Sequence, residues 1–262
     1  MMTFDEILAT VDGNGNGILP EGWGQGRALF GGLVGAVLFE HLVKSVAGGR
    51  PLRSFSLSFV APAAPGPVSL RSEVLREGKS VMQALVSASQ DDQVVSTMLV
   101  SLGAARDSAV AVAGPAAPSM PGPEKSMRLP FIKGLTPDFL DHFDIRYAKG
   151  MPPFSGSQAP DFAGYMGFKT APSVMTTAAL IALVDTWPPS VLPMLKGPAP
   201  ASSLTWTMEL LDDPATRSAD TLWQYQVHTD QCSDGYGQSR ATIWDGDGNP
   251  VALSRQTFTV FA

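Results

Sequence analysis

Ala171-Pro-Ser-Val-Met-Thr-Thr-Ala-Ala-Leu-Ile-Ala-Leu-Val-Asp-Thr-Trp187 decides how the rest of the chain is read. Between Val174 and Thr186 it carries one charge, Asp185. The alanines and the length favour a helix over a strand, although Val, Ile and Thr dilute the signal. Ser173 can cap the start, because its hydroxyl can accept from an unpaired first-turn N–H. Pro188 and Pro189 end it, since proline lacks an N–H and pushes the preceding residue out of helical geometry. The pattern predicts a buried helix over Ser173–Thr186. Asp185 then stands where burial disfavours its charge and where the helix dipole repels an anion. A carboxylate so placed either faces solvent or carries function.

A second buried helix is predicted over Gly32–Ser45, approached through Gly31 and Gly32. Glycine weakens a helix by about 1 kcal/mol against alanine. The pair therefore implies a close approach, tight packing on a sheet, or bare N–H groups held free for an anion or polarised carbonyl. Strand-like runs follow each helix. Leu52–Phe59, Val68–Glu77, Val81–Gln90 and Gln93–Leu102 follow the first; Ala201–Leu211, Thr221–Thr229, Gly237–Trp244 and Val251–Phe261 follow the second. Asp91-Asp92, Ser233-Asp-Gly235 and Asp247-Gly-Asn249 read as hairpin turns. Thr3-Phe-Asp-Glu6 reads as a capping box opening a short N-terminal helix. Further strands are expected at Phe143–Tyr147 and near Tyr165–Phe168. The halves can be laid on one another. Gly31–His41 falls on Thr176–Thr186, placing Glu40 on Asp185; Ser56–Phe59 falls on Ser203–Trp206; Val94-Val95 falls on Val251-Ala252, placing Leu99 on Gln256. The expected architecture is α+β: two tandem modules, each a long helix wrapped by an antiparallel sheet, with the sheets joined edge to edge so that fewer edges stay open. Residues 1–104 form the first module, the Pro/Ala/Gly-rich stretch 105–129 a linker, and residues 130–262 the second.

Composition excludes several functions. The 262 residues are 44% hydrophobic and 16% charged, enough for a large core. A net charge of −6 without any basic run argues against nucleic acid. The single Cys232 excludes an intrachain disulfide framework and fits a reducing compartment. Acidic residues come early, no signal peptide is legible, and the uncharged run Thr170–Val184 is shorter than the roughly 20 residues of a membrane span. A cytoplasmic protein without a membrane partner is expected. Asp12-Gly-Asn-Gly-Asn-Gly17 begins like a calcium loop but has Trp23 where the bidentate Glu belongs. Asp245-Gly-Asp-Gly-Asn249 fails similarly, with Pro250 in place of glycine and Gln256 in place of Glu. Gly78-Lys-Ser80 lacks the glycine of a phosphate loop, Glu73 standing there instead. His41, His142 and His228 have no ligand spacing, so no metal or cofactor is expected, and no Gly-x-Ser-x-Gly elbow occurs.

Five phrases carry a resemblance. They are Arg27-Ala-Leu-Phe-Gly-Gly32; Ser54–Val60 with Ala61-Pro62; Leu75-Arg-Glu-Gly-Lys-Ser80; Ser202-Ser-Leu-Thr-Trp206; and Val251-Ala-Leu-Ser-Arg-Gln256. In this order, from about Gly17 to Val260, the chain resembles the double hot-dog acyl-CoA thioesterases of the thioesterase II type. The resemblance implies hydrolysis of an acyl-CoA to free acid and CoA, a place in lipid metabolism, and a water positioned by three side chains. Asp185 looks like the family Asp and Gln256 like the family Gln. Ser203 stands where a Thr is expected, and Thr205 or Thr207 on the same strand could supply the hydroxyl instead. For substrate binding, Gly31 and Gly32 offer amides for the oxyanion. The Leu75–Ser80 phrase offers Arg76, Gly78, Lys79 and Ser80 for CoA, with Arg76 and Lys79 near its phosphates. Acyl-CoA is the expected partner, homo-oligomerisation is left open, and a non-catalytic acyl-CoA or acyl-carrier binding protein is the alternative. A hydratase of the same fold would want an Asp/His pair at the active helix, and no His lies near Asp185 in sequence.

Overall fold

The computed structural model describes residues 2–262. Helix α1 (Phe4–Thr10) is opened by the expected capping box: the Glu6 N–H donates to Thr3 Oγ1 at 3.3 Å and the Thr3 N–H to Glu6 Oε2 at 2.8 Å. After it come β1 (Asn16–Leu19) and a small hairpin of β2 (Gly24–Gln25) and β3 (Ala28–Leu29). Helix α2 (Gly31–Ser45) leads into β4 (Leu52–Phe59), β5 (Gly66–Glu77), β6 (Val81–Gln90) and β7 (Gln93–Gly103). Short β8 (Met127–Arg128), β9 (Phe143–Lys149) and β10 (Phe162–Phe168) precede helix α3 (Thr177–Val184). The chain closes with β11 (Ala201–Leu210), β12 (Trp223–Ser233), β13 (Tyr236–Trp244) and β14 (Pro250–Val260).

Twelve of the strands make one sheet, ordered β1-β5-β6-β7-β4-β11-β14-β13-β12-β10-β9-β8, and its paired neighbours are antiparallel. The neighbour order β5-β6-β7-β4 recurs as β12-β13-β14-β11, and the two runs meet where β4 pairs β11 from Ser54↔Glu209 to Ser58↔Thr205. Trp206, fully buried, meets the Phe55 ring edge-on at 5.0 Å across this joint, and its indole N–H donates to Ser254 Oγ. Alternation sends Met82, Ala84, Val86 and Ala88 of β6 inward, and Trp223, Tyr225 and Val227 of β12 likewise. The two helices cover that inner face and cross closely. A Cβ on Gly35 would lie 3.0 Å from Ile181 Cγ2, and one on Gly32 2.9 Å from the Ala182 carbonyl oxygen. Close packing therefore accounts for these two glycines.

The turns follow their chemistry. Asp91 and Asp92 (φ 48° and 62°) and Asp234-Gly235 (φ 54° and 80°) take the paired positive φ of type I′ hairpins. Three expectations need correction. Helix α3 begins four residues late: Thr176 is its cap, accepting from the Ala179 N–H, while the Ser173 N–H donates to Asp5 Oδ2 and so ties this approach to α1. Asp185 is then the C-cap rather than a residue of the last turn. The repeat is out of register as aligned. Ser56 pairs Leu99, whereas Ser203, laid on Ser56, pairs Phe258, two positions past Gln256. A bulge between Ser203 and Thr205 adds a further shift that no alignment of side-chain types can see. The stretch read as linker runs extended along the sheet: the Trp244 indole N–H donates to the Pro115 carbonyl, the Tyr165 hydroxyl to that of Pro121, and β8 at its end pairs β9.

Candidate active site

Asp185 terminates α3, and its carboxylate reaches the first turn of α2. Oδ1 accepts from Gln256 Nε2 at 2.7 Å, and the Gly32 backbone N–H acts with it to favour the charged form. A Cβ on Gly31 would lie 2.9 Å from Asp185 Oδ2 and equally close to the Phe59 ring, so glycine is required by the acid itself. No cation pairs with Asp185 among the described residues. Burial pushes its pKa up to about 7, against the opposing hydrogen bonds from Gln256 and Gly32. Burial first, and then the Asp185 charge, hold the neighbouring Tyr225 phenol above its ordinary value. An acid near neutrality can exchange a proton at physiological pH.

One edge of Asp185 opens on a cavity of about 390 Å³. Its walls come from the β2–β3 hairpin and α2 (Gln25, Arg27, Gly31, Val34), from Phe59–Ala63, and from Ala201–Leu204, with Ser96 buried on its floor. Ser203 lines this cavity; Thr205 and Thr207 do not. The β11 bulge lies directly after Ser203, and Ser96, Ser202 and Thr259 bring further hydroxyl residues to the same cavity. Gln256 does not line the cavity and grips Asp185 from behind. Of the two glycine amides expected for an oxyanion, that of Gly32 acts on the Asp185 carboxylate and lowers its pKa. Gly31 lines the cavity at the first helical position, where an N–H has no intrahelical acceptor.

The Leu75–Ser80 phrase is not brought to this place. Phe59 pairs Ser96 at the cavity, but Met82 and Glu77, beside the turn, stand level with Leu102. Six residues of β7 separate the two levels, about 20 Å at the usual strand rise. Arg76, Gly78, Lys79 and Ser80 are therefore at the opposite end of the sheet, because each hairpin turn must lie one strand length from the next. Sequence reasoning assigned no role to Gln25, Arg27, Phe59 or Ser96. The signal available for the first two was the tight Gln25-Gly-Arg-Ala28 turn. The histidines are engaged elsewhere: His41 Nδ1 with the Asp12 carbonyl, His142 stacked on Trp23 at 3.8 Å, and His228 with Asp161. Among the described residues no three His, Cys, Asp or Glu side chains converge as a metal site would require, and no helix is long and apolar enough to cross a membrane.

Comparison with known proteins agrees on the family. Residues 19–103 match the family model described as the acyl-CoA thioesterase N-terminal domain, and residues 116–260 that of the acyl-CoA thioesterase C-terminal domain. Among curated proteins none matches. A solved structure from Alicyclobacillus acidocaldarius, a conserved protein of unknown function with a hot-dog fold, superposes with a TM-score of 0.89 at 24% identity, over 100% of this chain and 99% of that one. An acyl-CoA thioesterase II from Mycobacterium marinum superposes with a TM-score of 0.75 at 18% identity, over 99% and 97%. At such identities the structures speak for the hot-dog fold alone, and the sequence match speaks for the family. Matched by these two models over most of its length, this chain belongs to the acyl-CoA thioesterase family.

Proposed function

We propose that the chain folds as two hot-dog modules, near residues 17–104 and 130–262, and hydrolyses acyl-CoA thioesters at the cavity beside Asp185. The observation that carries this reading is an uncompensated carboxylate, raised to about pH 7, held by Gln256 and opening on a cavity. Asp185 takes a proton from a water as that water's oxygen bonds to the thioester carbonyl carbon. Ser203 offers a hydroxyl to orient the same water, and Gln256 fixes the carboxylate that receives the proton. The Gly31 N–H, at the positive end of α2, faces the oxyanion as it forms. Collapse breaks the carbon–sulfur bond, and the proton on Asp185 passes to the leaving thiolate. The products are the free acid and CoA. No histidine lines the cavity, so an Asp/His hydration mechanism has no support at this site.

The alternative is an acyl-CoA binding protein without turnover. A panel of short, medium, long and aromatic acyl-CoAs, followed by release of free thiol, separates the two. Hydrolysis of at least one class that disappears in Asp185→Asn is expected. Tight binding of acyl-CoA without release across the panel would establish the non-catalytic reading.

A further inference from the structure

The cavity is bordered by two charged residues, and they stand at opposite depths. Asp185 is inside, and Arg27 is exposed on the rim. Arg27 sits at the tip of the β2–β3 hairpin, whose ladder leaves Gly26 and Arg27 as a two-residue loop. Only Gly26 of that pair has positive φ, 68°, the pattern of a type II′ turn. Backbone bonds fix the hairpin to the cavity wall: the Leu29 N–H donates to the Ala63 carbonyl at 2.8 Å and the Phe30 N–H to that of Trp23 at 2.9 Å. The tip is thus held over the opening by a rigid base. Among the described residues Arg27 makes none of the ion pairs, although Arg50, Arg128, Arg146, Arg217, Arg240 and Arg255 each have an acid. A guanidinium without an acid can take a bidentate anion without first breaking an internal pair.

We infer that Arg27 is the anion clamp of the site, gripping the diphosphate of the CoA moiety while the thioester lies at Asp185. The inference rests on the proposed thioesterase reading. A cavity of about 390 Å³ takes the acyl group and the thiol arm but leaves the nucleotide outside. The phosphates therefore lie at the rim, where a chain of net charge −6 presents this one cation on the cavity wall.

The test compares wild type, Arg27→Gln, Arg27→Lys and Lys79→Glu on paired substrates: an acyl-CoA and the same acyl group on pantetheine, which lacks the phosphates. Loss of a charge-assisted clamp should raise KM for the acyl-CoA by roughly 10-fold in Arg27→Gln. KM for the pantetheine thioester should move less than twofold. Arg27→Lys should recover part of the loss, and Lys79→Glu should leave both values in place. An equal effect on both substrates, no effect on either, or an effect confined to acyl groups bearing a terminal carboxylate would overturn the clamp. Titration with free CoA separates this inference from the catalytic one. If no thioester is hydrolysed, a roughly 10-fold weaker CoA affinity in Arg27→Gln still supports the clamp, and unchanged affinity still sinks it. Should Arg27→Gln not fold, wild-type affinity for CoA must fall with added salt more steeply than affinity for pantetheine.

Discussion

Glu40, inside α2, and Asp185, the C-cap of α3, are the acids of the two central helices, and they are handled in opposite ways. Glu40 lies one turn before Lys44, whose ammonium sits 3.0 Å away and also donates to the Leu8 and Val11 carbonyls. It has a neutralising partner from its own helix, and that lysine ties α2 to α1. Asp185 has no cation, is pushed up to about pH 7, and meets only neutral donors from β14 and α2. An acid with a lysine one turn away on its own helix is cheap to fold. One placed between two helix ends among neutral donors is costly, and such costs concentrate at functional sites. On the proposed reading, one half carries an acid paired within its own helix and the other the acid that takes the proton from water.

Breaking each acid in turn sharpens that contrast. Asp185→Asn should lower turnover by about 10²–10⁴, the usual range for a general base, whereas Glu40→Gln should change it less than twofold. Steady-state assays of both variants settle the matter, and similar losses would abolish the distinction. Gln256→Ala and Ser203→Ala should each cost roughly 10-fold, with the double variant less than additive because one holds the carboxylate and the other the water of the same proton transfer. Thr205→Ala is expected to match wild type, its hydroxyl lying off the cavity.

Gly32→Ala tests the close approach that brings the helices together. Its Cβ would meet the Phe30 ring at 2.6 Å and the Ala182 carbonyl oxygen at 2.9 Å, so a loss of about 1–3 kcal/mol is expected in denaturant titration. Stability equal to wild type would mean that the helix ends can part freely.

The smallest effect is in pH. A carboxylate whose folded pKa is about 7 holds its proton in the native state long after the unfolded chain has lost it. Its contribution is therefore fully present below the unfolded value near pH 4 and is lost as pH rises towards 7. Wild type should melt a few degrees lower at pH 8 than at pH 5 relative to Asp185→Asn, about 2–4 °C for each kcal/mol at this size. The rate should rise with pH through about 7, as a base must be unprotonated to act. A rate falling over that interval would show that Asp185 works as an acid.

What the amino-acid sequence determined by itself is local. The apolar run with one acid, the Asp-Gly and Asp-Asp turns, the capping box and the order of helix and strands are all written in neighbouring side chains. Periodicity, φ preference and capping act over a few residues, so they can be read in sequence. Tertiary structure alone decided which ends meet. Asp185 and Gln256 lie 71 positions apart, and β-sheet register joins them. Ser203 lines the cavity and Thr205, past the bulge, does not. Thr176 rather than Ser173 became the cap, while the Ser173 N–H ties the approach to Asp5 of α1. The Leu75–Ser80 turn went to the far end of the sheet and Arg27 to the rim, since strand lengths, which no phrase encodes, set where each turn falls.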